Sequence, residues 1–547
     1  MSLTAEIVTN WSNLLDSKNE DGFVAESWSL IRVLEQQMKF PNITEEAKKA
    51  YADFLLQNLE TVSEAARCNI LSLLRILCRD DTGLTHLLTE PVCRMVMAAA
   101  FPPSRSPQVK ALFEAEKCII NSLFHSVLAR DIFADSFSGY LLDRIEFISQ
   151  RYMEGQFSEL AQHRFNYLLL LSEDLLIQFF FYDLRLCFVL SATHNRVLSA
   201  WSKDQSILGI FSTILEHSTK EAMDGGQLSK VHDERANEVL KIMYNLLCSH
   251  EFDQSTELAG QSAKLGRDLI LCKNIPEPTK QNVVNIMYRL DRHLGRLAPK
   301  LSAEEMEKVD PDNLYEDYDI TFPKVVLESM EDKMDNAPQS DAGLLVSYLA
   351  VLHYICTASK GARRYCRLKI LPPLKAEDVQ HRPDEGNSLR AKVIRIMMSA
   401  GPCAEMAAEL LFTLCKQSPS RMMKYCGLGH SAGLFANRGL FGSLNSRVRN
   451  ESDSEDSETD DYRQVEDQVN PVTGFINPLR DNSAWENMSE EQREFEAMKL
   501  VDAMSKLMDT GVIQPGTIGE DGRPQPVSHV CELLKNQPGP NEESDSD

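Results

Sequence analysis

The chain has 547 residues, 43% of them hydrophobic, enough for several domains or one elongated array, and 25 Gly with 23 Pro exclude collagen-like and broadly disordered classes. Its net charge of −24 lies mostly in the tail, where Glu451 to the end holds 24 acidic and 7 basic residues. The body before it is close to balance and still net acidic, a poor polyanion binder, so no nucleic-acid partner is expected.

The opening residues, MSLTAEIVTNWSNLLDS, lack a basic segment followed by an apolar core, so no secretory signal is predicted. From about Glu45 to Gly442 apolar residues recur at i, i+3, i+4 and i+7, the period of amphipathic helices. The strongest segments are Cys68–Cys78, Leu112–Leu128, Asp183–Ser191, Ala236–Cys248, Gln281–Leu294, Leu344–Ser359, Leu389–Ser399 and Ala407–Cys415. A local signature recurs as KCIINSLF at Lys117, KIMYNLLC at Lys241 and VVNIMYRL at Val283. Asn245 and Asn285 stand 40 residues apart, within the period of armadillo and HEAT repeats. Such units cannot bury an apolar face alone; stacking them makes a continuous core and a concave inner groove. Residues 1–442 are therefore expected to form an all-α, armadillo/HEAT-like helical-repeat superhelix, with an irregular all-α domain as the alternative. No uncharged apolar run reaches the ~20 residues of a membrane span. The nearest, Phe165–Leu190, is interrupted by Glu173, Asp174, Asp183 and Arg185.

An acidic, Pro-containing insertion over 301–342 breaks the period and predicts a loop with one helix near Phe322–Lys333. Residues 443–488 read as an acidic linker. Its core, ESDSEDSETDD at Glu451–Asp461, repels itself into a solvated segment whose hydroxyls suit an acidophilic protein kinase. Within 489–515, Ser489 with Gln492 offers a capping box opening an amphipathic helix to about Met508, ended by Val512-Ile-Gln-Pro515. Residues 516–547 read as a disordered acidic tail.

Catalytic motifs fail on context. Gly429-His-Ser431-Ala-Gly433 matches a nucleophile elbow in letters, but that elbow needs a strand before the serine, and the preceding SRMMKYCGLG is helical in pattern. The motif reads instead as a helix end at Gly427 and Gly429 followed by a small-residue helix, Ser431–Gly439. There is no phosphate-binding G-x-x-x-x-G-K-[ST] loop, and the 12 histidines show no metal-ligating H-x-x-x-H pair. Neither a metal site nor a cofactor is expected. The 13 cysteines show no C-x-x-C and fall mostly in apolar helical segments, as reduced, packed thiols do, which predicts a cytoplasmic chain. Two groups of cations stand out. Arg363, Arg364, Arg367 and Lys369 lie within seven residues, and Arg75 and Arg79 are one helical turn apart. On one groove they would suit a partner with a carboxylate or an acidic end.

FFFYDLRL at Phe179, ARRYCRLKILPPL ending at Leu374 and MKYCGLGHSAGLFANRGL at Met423 together resemble the synembryn family, the resistance-to-inhibitors-of-cholinesterase proteins. So do SDSEDSETDDY, NPVTG, MSEEQREFEAMKLV and VIQP, in that order. The resemblance is specific from about Arg363 to Pro515 and weak over the first 60 residues and the insertion. It implies a non-receptor guanine nucleotide exchange factor and folding chaperone for heterotrimeric G-protein α subunits. Such a protein grips the C-terminal helix of the α subunit in its groove and holds the nucleotide-free form, with no catalytic residue of its own. Carried over by position, the groove contacts fall on Arg75, Arg79, Asn121, Arg363 and Arg367, and the kinase sites on Ser452 and Ser457. The supporting distal helix falls on about Glu490–Met508, and recruitment to the cell cortex would come through the partner. The competing reading from another class is a passive armadillo-type peptide scaffold or transport adaptor, which would leave a nucleotide's release rate unchanged.

Overall fold

The computed structural model describes residues 2–101, 108–154, 165, 168, 171–225, 228–336, 343–441, 459–476, 488–495, 498–499, 516–518 and 524–526. These residues form an all-α helical-repeat protein of two compact units, Met1–His293 and Leu294–Asp547. Unit 1 begins with α1 (Ala5–Asp16), α2 (Glu20–Leu34), α3 (Glu45–Asn58), α4 (Glu64–Leu77), α5 (Leu84–Leu87), α6 (Glu90–Ala100), α7 (Val109–His125) and α8 (Val127–Ser136). It continues with α9 (Ser138–Glu154), α10 (Glu173–Thr193), α11 (Asn195–Lys203), α12 (Gln205–Gly225), α13 (Lys230–Cys248), α14 (Glu257–Ile270) and α15 (Glu277–Arg289). The short α16 (Asp291–Leu294) follows.

Local sequence sets most of these boundaries. Side chains of Thr4, Asn19, Thr44, Ser63, Ser126, Ser229 and Thr256 each accept the backbone N–H three residues on, satisfying a donor the helix cannot. Ser126 explains why the predicted Leu112–Leu128 segment is two helices. It ends α7 in extended backbone and caps α8 through Ala129 N.

Helices α2, α4, α7, α10, α13 and α15 pack each on the next as one layer of unit 1. The other layer is α1, α3, α6, α8, α9, α12 and α14. Polar bonds between neighbouring helices join residues about one repeat apart: Asn69 Nδ2 to Val24 O, 45 positions away, and Asn121 Nδ2 to Arg75 O, 46 away. Asn282 Nδ2 to Asn237 Oδ1 spans 45, and Asn245 Nδ2 to Ser191 Oγ spans 54. The recurring asparagines thus tie successive repeats together. Helix α10 is long and apolar enough to cross a membrane by length and composition, yet it packs on both α7 and α13, and its Asp183 is fully buried against Arg144. It is a core helix.

Unit 2 contains α17 (Ala303–Met306), a ribbon of β1 (Leu314–Tyr315) and β2 (Tyr318–Asp319), then α18 (Thr321–Asn336), α19 (Leu345–Ala358) and α20 (Lys360–Ile370). After these come α21 (Leu389–Met397), α22 (Pro402–Leu414), α23 (Pro419–Cys426), α24 (Leu428–Arg438) and α25 (Asp460–Arg463). A second ribbon pairs β3 (Gly516–Ile518) with β4 (Pro524–Pro526), antiparallel like the first. The insertion therefore adds a hairpin to the predicted loop and helix. That hairpin seats on α20 where Gly361 has no side chain; a Cβ there would stand 2.1 Å from Tyr318 Cγ.

The linker's predicted extent is corrected by residues 459–476, which pack on unit 2 as a strap. Ala376 N donates to Asp461 Oδ2 at 3.0 Å, and Leu428 N and Gly429 N donate to Pro471 O and Val472 O, both at 2.9 Å. Tyr462 is 2% exposed, with Lys424 Nζ 4.6 Å from its ring centroid. Gly427, at φ +79°, makes the close crossing: a Cβ there would stand 2.9 Å from the Thr473 carbonyl carbon. The acidic serine run, with Ser452 and Ser457, lies outside the described residues. Of the predicted distal helix, 490–495 and 498–499 are helical, and its remainder is also outside. Its start is the expected reciprocal cap: Gln492 N donates to Ser489 Oγ and Ser489 N to Gln492 Oε1.

Candidate functional site

The faces of α4, α7 and α10 enclose a depression of about 370 Å³, lined by Met38, Arg75, Arg79, Lys117, Ile120, Asn121, Phe181, Tyr182 and Arg185. Helix periodicity puts them there. Arg75 is in the last turn of α4 and Arg79 in the turn just after it, while Lys117 and Asn121 are four apart on α7, as are Phe181 and Arg185 on α10. Among the described residues, four cations and no carboxylate line it.

The charges are held by the surrounding protein. Arg75 Nε donates to Glu114 Oε2 at 2.9 Å and Arg75 Nη2 lies 3.7 Å from Glu35 Oε1. Lys117 Nζ donates to the other Glu114 oxygen at 2.8 Å. Burial pushes the Glu114 carboxyl up, but the Lys117 hydrogen bond, the Arg75 charge and the Ser72 hydroxyl outweigh it and hold it below its ordinary value. Arg79 Nη1 donates to Glu35 O at 2.9 Å and to Gln37 O at 3.4 Å, so it meets carbonyls rather than a carboxylate. Burial and then the Arg75 charge beside it lower the Arg79 guanidinium from its ordinary value, and a bound anion would relieve that repulsion. Arg185 Nη1 donates to Glu238 Oε1 at 2.8 Å, and Lys117 Nζ lies 5.6 Å from the Tyr182 ring centroid. The site offers fixed cationic donors beside Met38, Ile120, Phe181 and Tyr182. This combination fits a helix end bearing a carboxylate and an apolar flank.

The structure brings Arg75, Arg79 and Asn121 together in this depression. Sequence reasoning missed Lys117, Arg185, Phe181 and Tyr182 as site residues, although a signal existed. Glu114, Lys117 and Asn121 on α7 repeat as Glu238, Lys241 and Asn245 on α13, with Lys241 Nζ again bound to its glutamate. In the sequence alone the recurring lysine looks like part of a packing signature.

In unit 2 the cations of the Arg363–Lys369 run do not form one open patch. Arg367 is 6% exposed, and its Nη2 donates to Tyr425 Oη at 3.1 Å. Arg364 is held by both Glu316 oxygens at the hairpin turn, at 2.7 and 2.8 Å. Arg363 is half-buried, and its Nε is buried without a hydrogen-bond partner. Helix period turns Arg363 and Arg367 to one side of α20 and the hairpin covers another, so four cations in a row do not make one patch. The nucleophile reading also ends here. Ser431 is fully buried inside α24, which starts at Leu428 rather than at Ser431, and its Oγ donates to Gly427 O at 3.0 Å. Among the described residues no group of three or more metal-ligating side chains occurs, and the 12 described cysteines are free thiols.

The sequence model of the family described as "Guanine nucleotide exchange factor synembryn" matches residues 70–523. The chain is 36% identical over 513 residues to "Chaperone ric-8" of Caenorhabditis elegans, covering 87% of this chain and 88% of that one. It is 36% identical over 517 residues to its counterpart in Caenorhabditis briggsae, with the same coverages. To "Chaperone Ric-8A" of Danio rerio it is 30% identical over 543 residues, covering 94% of each. With the repeat architecture and the cation-lined depression in place, these likenesses establish that the chain belongs to the synembryn family of chaperones and guanine nucleotide exchange factors.

Proposed function

We propose that this protein binds the C-terminal helix of heterotrimeric G-protein α subunits in the α4–α7–α10 depression, stabilises their nucleotide-free state and assists their folding. The observation that carries this reading is the depression itself: Arg75, Arg79, Lys117 and Arg185 surround a cavity that no acidic side chain lines among the described residues. Arg363 and Arg367 of unit 2 are proposed as further contacts, with Arg367 acting through its packing on Tyr425. No catalytic residue is required. If binding this protein weakens GDP by some factor, GDP weakens this protein by the same factor, so exchange is differential binding to an open conformer. GTP would displace the protein by favouring the closed one. An acidophilic kinase acting on Ser452 and Ser457, and a cytoplasmic location with recruitment through the partner, belong to the same proposal. Release of labelled GDP from several classes of G-protein α subunit, timed with and without the full chain, tests it. Binding without accelerated release would favour the passive scaffold instead.

A further inference from the structure

Behind the depression, on the buried sides of α7 and α10, three fully buried side chains meet: Glu116 of α7, Arg144 of α9 and Asp183 of α10. Arg144 Nε donates to Asp183 Oδ2 at 2.9 Å, and its Nη2 donates to both Asp183 Oδ1 and Glu116 Oε1. Its Nη1 donates to Ala100 O, at the end of α6, at 3.0 Å, and the guanidinium carbon lies 4.2 Å from the Phe101 ring centroid. One cation therefore faces two carboxyl groups with no access to solvent. The two are seated differently. Asp183 receives a two-pronged bond that engages both oxygens, the geometry that holds an ionised carboxylate. Glu116 receives one bond, and its Oε2 is buried without a hydrogen-bond partner. An ionised carboxylate with a bare oxygen in an apolar site is costly, and such a group takes up a proton instead.

Among the described residues, the other charged groups near by do not supply the missing partner. Lys117, next to Glu116 on α7, points its ammonium to Glu114, and Arg75 of α4 does the same. On α6 Arg94 binds Glu90, and on α8 Asp131 meets His194. Arg144 from α9 and Asp183 from α10 are the charges that bond within the cluster.

We propose that Glu116 carries a proton in the folded protein at neutral pH, and that this acid–guanidinium–carboxylate triad is the clamp that sets α7 against α10 behind the depression. Burial, with the Asp183 charge, pushes the Glu116 carboxyl well up against the opposing pull of Arg144. Burial also pushes Asp183 up, again opposed by Arg144; the two-pronged seat makes Asp183 the ionised member. Glu116 neighbours Lys117, and Asp183 neighbours Tyr182, so the clamp fixes the spacing of lining residues on two helices. Its role as a positioning device rests on the function proposed above; the proton does not.

The sign follows from linkage. An unfolded glutamate titrates near 4.5 and is ionised at neutral pH, while the folded one holds its proton. The stabilisation is complete below that value and is lost as pH rises toward the folded-state value. The test is thermal unfolding of the full chain between about pH 6 and about pH 9 for wild type, Glu116→Gln and Asp183→Asn. Glutamine mimics the protonated acid. Glu116→Gln should melt above wild type at neutral pH, because only the wild-type chain gives up a proton on unfolding there. Relative to it, the wild-type unfolding constant should rise about tenfold per pH unit while Glu116 stays protonated in the fold. Asp183→Asn should be severely destabilised or fail to fold. A Glu116→Gln chain that keeps the wild-type pH slope, or is damaged as badly as Asp183→Asn, overturns the proposal. In a parallel assay of binding to a G-protein α subunit, Glu116→Gln should match wild type; a folded Glu116→Gln that loses binding refutes the clamp. A wild-type chain that does not bind in this assay refutes the functional reading instead, and the titration still decides the proton.

Discussion

Replacing Lys117 by Met should weaken the partner far more than it weakens the fold. The Lys117 side chain is 31% exposed, bonds Glu114 at 2.8 Å across an i, i+3 step and lies over Tyr182. Losing that pair costs roughly 0.2–0.5 kcal/mol, and losing the partly exposed ring contact roughly 0.5–1 kcal/mol. The Glu114 carboxylate stays paired, because its Oε2 keeps Arg75 and Ser72, each at 2.9 Å, and the side chain is 16% exposed, so water can reach the group. Methionine retains the unbranched stem, so the stability loss should stay near about 1 kcal/mol. A charge-assisted hydrogen bond to a ligand carboxylate is worth about 1.5–3 kcal/mol, which is roughly 10- to 150-fold in Kd. The assay pairs a titration of a labelled peptide, taken from the C-terminus of a G-protein α subunit, with the GDP-release rate. Both are measured at two salt concentrations, with melting as the control for folding. Glu114→Gln serves as the opposite control and should leave affinity unchanged or raised. A folded Lys117→Met with wild-type affinity and GDP release would take Lys117 out of the site and undercut the electrostatic reading of the depression.

In unit 2, Arg363→Glu should keep the fold and lower affinity for the G-protein partner, whereas Arg367→Glu should cost at least about 2 kcal/mol of stability by burying a carboxylate against Tyr425; equal melting temperatures for the two variants would contradict this division. Cutting the chain at about Val448 removes the strap and leaves the Leu428 and Gly429 N–H groups without Pro471 and Val472, so both melting temperature and exchange should fall. Gly427→Ala should loosen the same strap by clashing with Thr473, read as faster proteolysis within 459–476, and unchanged cleavage would show the crossing to be unimportant. Phosphorylation at Ser452 and Ser457 adds about −1.5 to −2 charge per site and should raise GDP release by docking the linker on basic residues. Ser452→Ala with Ser457→Ala should block the rise, and equal release rates with and without phosphate would dismiss it.

Much of this molecule is written locally. The apolar period within each segment and the capping hydroxyls at Ser63, Ser126 and Ser229 depend on residues only a few positions apart, so element type and many ends can be read from the chain. The Ser489–Gln492 capping box is legible for the same reason. The concentration of charge after Glu451 needs no structure at all. What the chain could not disclose is which partner each charge meets. Arg75 finds Glu114 39 positions away, Arg364 finds Glu316 48 positions away, and the Asp461 carboxylate receives the Ala376 N–H across 85. The same separation hid Lys117 and Arg185 from the site, and it hid the burial of Arg367 against Tyr425, 58 positions away. A helix period fixes the direction of a side chain relative to its own axis, while only the packing of successive helices fixes what stands opposite it. Helices were therefore determined by spacing, but the depression, the strap and the buried Glu116–Arg144–Asp183 cluster exist only where distant segments are brought within hydrogen-bonding reach.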